Sequence, residues 1–151
     1  YYENGQKESE GSYKDGKEDG LHKYWHENGQ MSAEENWNDG KLEGKVFTWY
    51  ENGQMSAEEN WKDDNKNGKL NTWYENGQIE SESYFKDHNQ DGKWTNWHEN
   101  GQVHSEGFSK DGQWDGKHTY WYESGQKEAE IIYKNGTREE ENQWNEDGEL
   151  Q

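Results

Sequence analysis

Two adjacent connectors carry oxygen-bearing side chains at alternate positions: Asp63, Asn65 and Asn67 ahead of Gly68, and Asp87, Asn89 and Asp91 ahead of Gly92. A calcium loop opens this way, because a hard cation needs several converging oxygens and glycine permits the tight turn. The twelve-residue spacing does not complete, since position twelve falls on Tyr74 or His98, with Glu75 and Glu99 one residue late. Elsewhere the third connector position is Lys17, Lys41 or Gln113, and a lysine there opposes a cation. Calcium is therefore the one cofactor these residues raise, set against the plainer reading of solvated Asx–Gly turns.

Carboxylates are abundant, but Glu10, Glu34, Glu58, Glu82, Glu106 and Glu130 recur at one equivalent position. Acid–base catalysis needs one carboxyl set apart by its surroundings. Repetition argues against that, and the expectation is no enzyme. The six histidines are scattered; His26 and His98 stand where other copies have Tyr, so they read as aromatic substitutes, and no zinc site is assigned. A second row, Trp25, Trp49, Trp73, Trp97, Trp121 and Trp144, runs beside the Glu row. Packing explains it simply. The functional alternative is a face for cationic partners built from Trp25, Trp49, Trp73, Trp97 and Trp121 with Glu34, Glu58, Glu82 and Glu106, since aromatic faces and carboxylates together attract ammonium and guanidinium groups.

What positions these rows is a repeat. Trp-Tyr-Glu-Asn-Gly-Gln or a variant recurs with its glycine at Gly5, Gly29, Gly53, Gly77, Gly101 and Gly125, 24 residues apart, and a degraded copy ends at Gly148, one residue out of register. Such a period means units that bury their apolar surface only against neighbours. The net charge of −18 amounts to three negative charges per copy, and Leu, Ile, Val and Phe together supply only 12 residues of 151, a balance that usually signals disorder. Ten Trp and ten Tyr in phase argue for a fold held by aromatic ladders instead.

There is no cysteine, hence no disulfide framework. No apolar run approaches the roughly 18 residues of a membrane span, and no targeting segment is visible; the expectation is a soluble array whose compartment stays open, cytoplasmic or secreted and surface-exposed. The acidity excludes nucleic acid as a partner. Tyr1 and Gln151 both fall inside copies, which predicts residues 1–151 to be one array and a window on a longer one.

Within a copy, Lys45–Glu51 and Gln54–Trp61 read as strands around Asn52-Gly53, and Asn-Gly suits a two-residue type I′ turn. That register sets Tyr50 against Met55 and Trp49 against Ser56. It places Tyr50, Thr48, Met55, Ala57 and Trp61 on a core face and Trp49, Phe47, Ser56 and Glu58 on the other. The drifting aromatic of the second strand, at Trp61 but at Tyr84 and Phe85 or at Phe108 in later copies, suggests a bulge there. No proline and no helical period appear. The fold class is all-β, a tandem array of 24-residue hairpins in an elongated single-sheet solenoid.

The motif Trp-Tyr-Glu-Asn-Gly-Gln, followed by Glu, an aromatic, Asp-Gly-Lys and Gly-Lys, closely resembles the MORN-repeat variant, whose best-known label is the YwqK-type antitoxin component. The resemblance covers essentially the whole chain and implies stacked hairpins with a role in protein contacts. The expected function is a non-enzymatic acidic scaffold for protein–protein interaction. The alternatives are an antitoxin or immunity protein neutralising a basic toxin, and a structural repeat of a filament or surface layer. Partners are then a basic protein or further copies of the array. An anionic membrane is not expected, because this surface is acidic where lipid-binding repeats are basic.

Overall fold

The computed structural model describes residues 1–151, which form strands and turns with no helix. An eight-residue strand follows each Gly-Gln turn in the second to fifth copies: Met31–Asn38, Met55–Lys62, Ile79–Lys86 and Val103–Lys110. A two-residue arm then doubles back, as at Lys41–Leu42, and leads into a six-residue strand such as Gly44–Trp49. Apart from a separate two-stranded pair, Tyr13–Lys14 with Lys17–Glu18, the strands form one continuous antiparallel sheet whose main path follows chain order. Its main path counts twelve strands, from Ser9–Glu10 to Thr137–Gln143.

The turns differ from the expected type, and the difference moves side chains between faces. Gly53 N donates to the Tyr50 carbonyl and Tyr50 N to the Gln54 carbonyl, both at 2.9 Å, so the loop has three residues, Glu51-Asn52-Gly53. Gly53 has φ +84° whereas Asn52 keeps a negative φ, so this is a turn closed by a left-handed glycine, not a type I′ turn. The register becomes Trp49 opposite Met55 and Thr48 opposite Ala57, with Ser56 bulged between them. Because side chains alternate strictly, this one-residue difference carries Met55 off the expected core face and onto that of Trp49. Ser56 goes the other way, where its Oγ shares a hydrogen bond with Thr48 Oγ1 at 2.7 Å.

The two-residue turns that need two positive φ values sit at the connectors. Asp39 and Gly40 have φ +50° and +80° between paired Asn38 and Lys41. Asp63-Asp64 and Asp87-His88 adopt the same conformation without any glycine, which Asp and His tolerate better than most residues. A second irregularity follows at Glu43-Gly44, where pairing with the preceding strand shifts by two residues. In the degraded last copy one bulged residue, Glu139, does this work, which accounts for its missing residue.

Only ten residues are buried, and nine lie on one face. There His22, Val46, Leu70, Trp94 and His118 form a row down the array, flanked by the small row that includes Ser105 and Ala129 and by Trp37, Trp61, Phe85 and Tyr133. The aromatic drift has a different cause from the expected bulge: Phe85 holds the buried row while Tyr84 faces out, and in the next copy Phe108 faces out while Ser109 takes the buried place.

Aromatic residues and histidine substitute for aliphatic bulk by compensation across copies. A Cβ on Gly11 would collide with the His22 ring, and one on Gly107 would fall 2.7 Å from both His118 and Trp94. His22 Nε2 donates to the Ser12 carbonyl at 2.8 Å and His118 Nε2 to that of Phe108 at 3.0 Å. Each histidine thus lies over a glycine eleven residues earlier and binds the carbonyl beside it.

His118 is fully buried among Trp94, Trp114 and Tyr133, with centroids 5.1, 5.1 and 4.8 Å away. Burial pushes its pKa below the ordinary 6.5. Its Nδ1 has no partner there. The unfolded chain therefore binds a proton that the folded chain resists, and stability falls as pH drops from 6.5 toward the depressed value, by up to about 1.4 kcal/mol per pH unit. Paired carboxylates such as Glu130 lie lower, below 4.5, and lose their contribution in a separate, more acidic window. Denaturant melts between pH 7 and 5 are expected to show this slope, and His118→Val, which installs the residue found at Val46, is expected to abolish it.

Candidate interaction face

The face opposite the buried row carries Trp25, Trp49, Trp73, Trp97 and Trp121, each half-buried and each paired across the sheet with Met31, Met55, Ile79, Val103 or Lys127. Glu34, Glu58, Glu82 and Glu106 share it, so the Trp and Glu rows do lie together. The Glu row is not free, however. Lys45 reaches Glu58 at 2.6 Å, Lys69 reaches Glu82 at 2.6 Å, Lys93 reaches Glu106 at 2.8 Å and Lys23 lies 3.6 Å from Glu34. Glu130 takes both Lys117 and Lys127, whose hydrogen bonds hold its carboxyl below the usual range. Lysine neighbours thus offset much of the charge of this row.

The recurring motif itself is occupied with joining copies. Tyr2, Tyr50, Tyr74 and Tyr122 each donate a phenol hydrogen to the backbone carbonyl of the tryptophan in the next copy, and His26 and His98 donate Nε2–H in the same place, all within 2.6–2.9 Å. Burial raises the Tyr50 and Tyr74 phenols, and Glu80 adds to it. Asn4, Asn28, Asn52, Asn76 and Asn100 donate Nδ2 to the next turn's Glu carbonyl at 2.7–3.2 Å. Each Oδ1 accepts the Gln N–H two residues on at 2.9 Å. The Gln side chain lies against the next turn glycine, so a Cβ on Gly53, Gly101 or Gly125 would have to displace the glutamine Oε1. The Tyr, Asn, Gly and Gln of the motif thus each have a structural task, and His26 and His98 keep the donor that their Tyr equivalents supply.

These ladders align the turn carboxylates. Glu3, Glu27, Glu51, Glu75, Glu99 and Glu123 are exposed along one edge, and none is within ion-pair distance of a Lys or Arg. Equivalent strands are two apart, so these charges repeat at about 10 Å. Sequence reasoning passed them over as part of the turn motif. Their signal was present, a Glu before every turn Asn, but only the fold sets them in line without partners.

Of the six residues raised for calcium, Asp63 and Asp87 sit in the two-residue turns, Asn65 and Asn89 in the arms behind them, and Asn67 and Asp91 between the arms and the next strands. Asp63 Oδ1 accepts from Lys41 at 3.2 Å, and Asn65 and Asn89 turn their amide nitrogens to the Asp63 and Asp87 carbonyls. Asn67 Nδ2 donates to Asp87 Oδ1, and Asp91 Oδ2 accepts from Asp111 N. These are contacts within a turn or between successive copies, and no three His, Asp or Glu side chains converge to hold a metal.

The sequence profile described as MORN repeat variant matches residues 1–15, 18–39, 42–63, 66–87, 90–111 and 114–135. The chain belongs to this MORN repeat variant family. From the second matched segment of the MORN array onward, successive segments start 24 residues apart, each opening in an arm and ending in the next connector turn. No curated protein matches the chain. MORN repeats are non-enzymatic modules of protein and membrane interaction. No helix in this array is long and apolar enough to cross a membrane.

Proposed function

We propose that this MORN array is a non-enzymatic scaffold that engages a basic protein partner along its tryptophan face and acidic turn edge. The observation that carries this reading is the division of labour between residues. The motif's Tyr, Asn, Gly and Gln join copy to copy, whereas the turn glutamates are lined up without ion partners. Ordered like charges of this kind create a field that steers oppositely charged partners and makes association sensitive to salt. The same field opposes an anionic bilayer and a phosphate backbone, so a protein surface rich in lysine or arginine is the fitting counterpart. Neutralisation of a basic toxin is a particular case of this reading.

The test is binding of a lysine-rich peptide followed by fluorescence anisotropy across ionic strength. Affinity is expected to fall at least tenfold between 0.1 and 1 M salt, as the screening length shrinks from about 10 Å to about 3 Å. A glutamate-rich peptide of equal length is expected not to bind. Equal binding of both peptides, or affinity independent of salt, would rule the reading out.

A further inference from the structure

The two outer copies contain lysines that show what the tryptophan face accommodates. Interior copies carry Met31, Met55, Ile79 and Val103 two residues after the turn glycine, but the outer copies carry Lys7 and Lys127. Lys7 Nζ lies 5.1 Å from the ring centre of Trp25 and 2.6 Å from Glu10. Lys127 Nζ lies 5.1 Å from Trp144 and 2.7 Å from Glu130. At both ends, one ammonium bridges the carboxylate of its own copy and the indole face of the next, a geometry that attracts cations twice over.

Val103, Glu106 and Trp121 are the repeat equivalents of Lys7, Glu10 and Trp25. Val103 is the shortest of the four interior residues. With Gln102 and Gly125 it leaves an open depression of about 430 Å³ over Trp121. The equivalent depression beside Lys7 and Trp25 measures about 230 Å³. Glu106 is engaged by Lys93 alone, whereas Glu130 holds Lys117 and Lys127 together. A carboxylate at this position therefore accommodates a second ammonium beside the first. Lys127 pairs across the sheet with Trp121, but its ammonium is directed to Glu130 and Trp144, away from the depression.

We infer that the depression formed by Gln102, Val103, Glu106, Trp121 and Gly125 is a subsite for a lysine side chain of the partner, its ammonium between Glu106 and the Trp121 ring. This rests on the reading of a basic partner and adds where one of its side chains is seated.

The test follows the indole N–H resonances of the ¹⁵N-labelled array by NMR while the same lysine-rich peptide is added. The Trp121 signal is expected to shift saturably. Val103→Lys recreates the outer copies, so it should fold and carry its own ammonium over Trp121. It is expected to abolish the Trp121 shift while leaving the other indoles responsive. Glu106→Gln supplies a second variant, expected to weaken the Trp121 response at least tenfold. The peptide with acetylated lysines is expected to produce no shift. If the peptide binds but Trp121 is silent, if Val103→Lys leaves its shift intact, or if acetylated peptide shifts it equally, the subsite is wrong while the basic-partner reading stands. If the peptide fails to bind at all, both fall.

Discussion

Excising one whole copy, Gly53 through Asn76, is expected to leave a folded array that melts cooperatively at a slightly lower temperature. The new junction joins Asn52 to Gly77 and rebuilds the turn Tyr50-Glu51-Asn52-Gly77-Gln78. Tyr50 then meets the Trp97 carbonyl in place of that of Trp73, and Asn52 meets Glu99 in place of Glu75, the acceptors that Tyr74 and Asn76 now use. Gln30 lies against Gly77 instead of Gly53, and Ile79 replaces Met55. Because each copy contacts chiefly its neighbours, the loss is one copy's share. By calorimetry the unfolding enthalpy is expected to drop by about 17 kcal/mol, at roughly 0.7 kcal/mol for each of 24 residues.

Removing twelve residues, Gly53 through Asp64, is expected to be far worse. It takes out one eight-residue strand and parts of the turns at both its ends, so consecutive six-residue strands are joined only through Tyr50-Glu51-Asn52 and Asn65-Lys66-Asn67. In an antiparallel meander the loss of one strand reverses the direction of every later strand. The Tyr and Asn ladders then have no acceptors at that junction. Circular dichroism and melting of the two deletions side by side give the answer. Equal unfolding of both would mean that stability is global and that copies are not the units of folding.

The period, the β class and the hairpin array were legible because the same residues recur every 24 positions and nothing in them has helical spacing. Register was not. Asn52-Gly53 looks like a type I′ turn, yet Asn52 binds Gln54 N and the Glu75 carbonyl from a conformation with negative φ. The true two-residue turns lie at the connectors, marked by glycine at Asp15-Gly16, Asp39-Gly40 and Asp111-Gly112 but unmarked at Asp63-Asp64 and Asp87-His88, where no glycine holds the second position. That exchange shifts the pairing by one residue, enough to move Met55 to the other face. The pairing of Gly11 with His22 and of Gly107 with His118 is also written in the chain. It becomes readable only once strand register places residues eleven apart over one another.

The candidate face was half legible. Trp and Glu rows on one side followed from alternation alone. That lysines cover the Glu row depends on diagonal contacts, such as Lys45 to Glu58, although Lys45 stands opposite Asn60. The unpartnered charge therefore lies along the turns, in residues that read only as part of the turn motif.

Replacing Trp49, Trp73 and Trp97 together by Ala is expected to lower stability markedly, keep the fold and remove binding of the basic peptide. The backbone carbonyls of these residues accept the ladder bonds from His26, Tyr50 and Tyr74, and those bonds do not depend on the indoles. What is lost is contact between each half-buried ring and Met55, Ile79 or Val103 across the sheet. A fully buried Trp→Ala change costs about 3–5 kcal/mol, so a half-exposed ring is expected to cost about 1–2 kcal/mol each. Binding is measured well below the melting temperature of the variant, so that unfolding does not enter. At least a tenfold loss of affinity, equivalent to about 1.4 kcal/mol, with a preserved β spectrum identifies the row as a binding face. A variant that melts earlier but binds the peptide unchanged while folded makes the row packing alone, and leaves the turn-edge carboxylates to hold the partner without it.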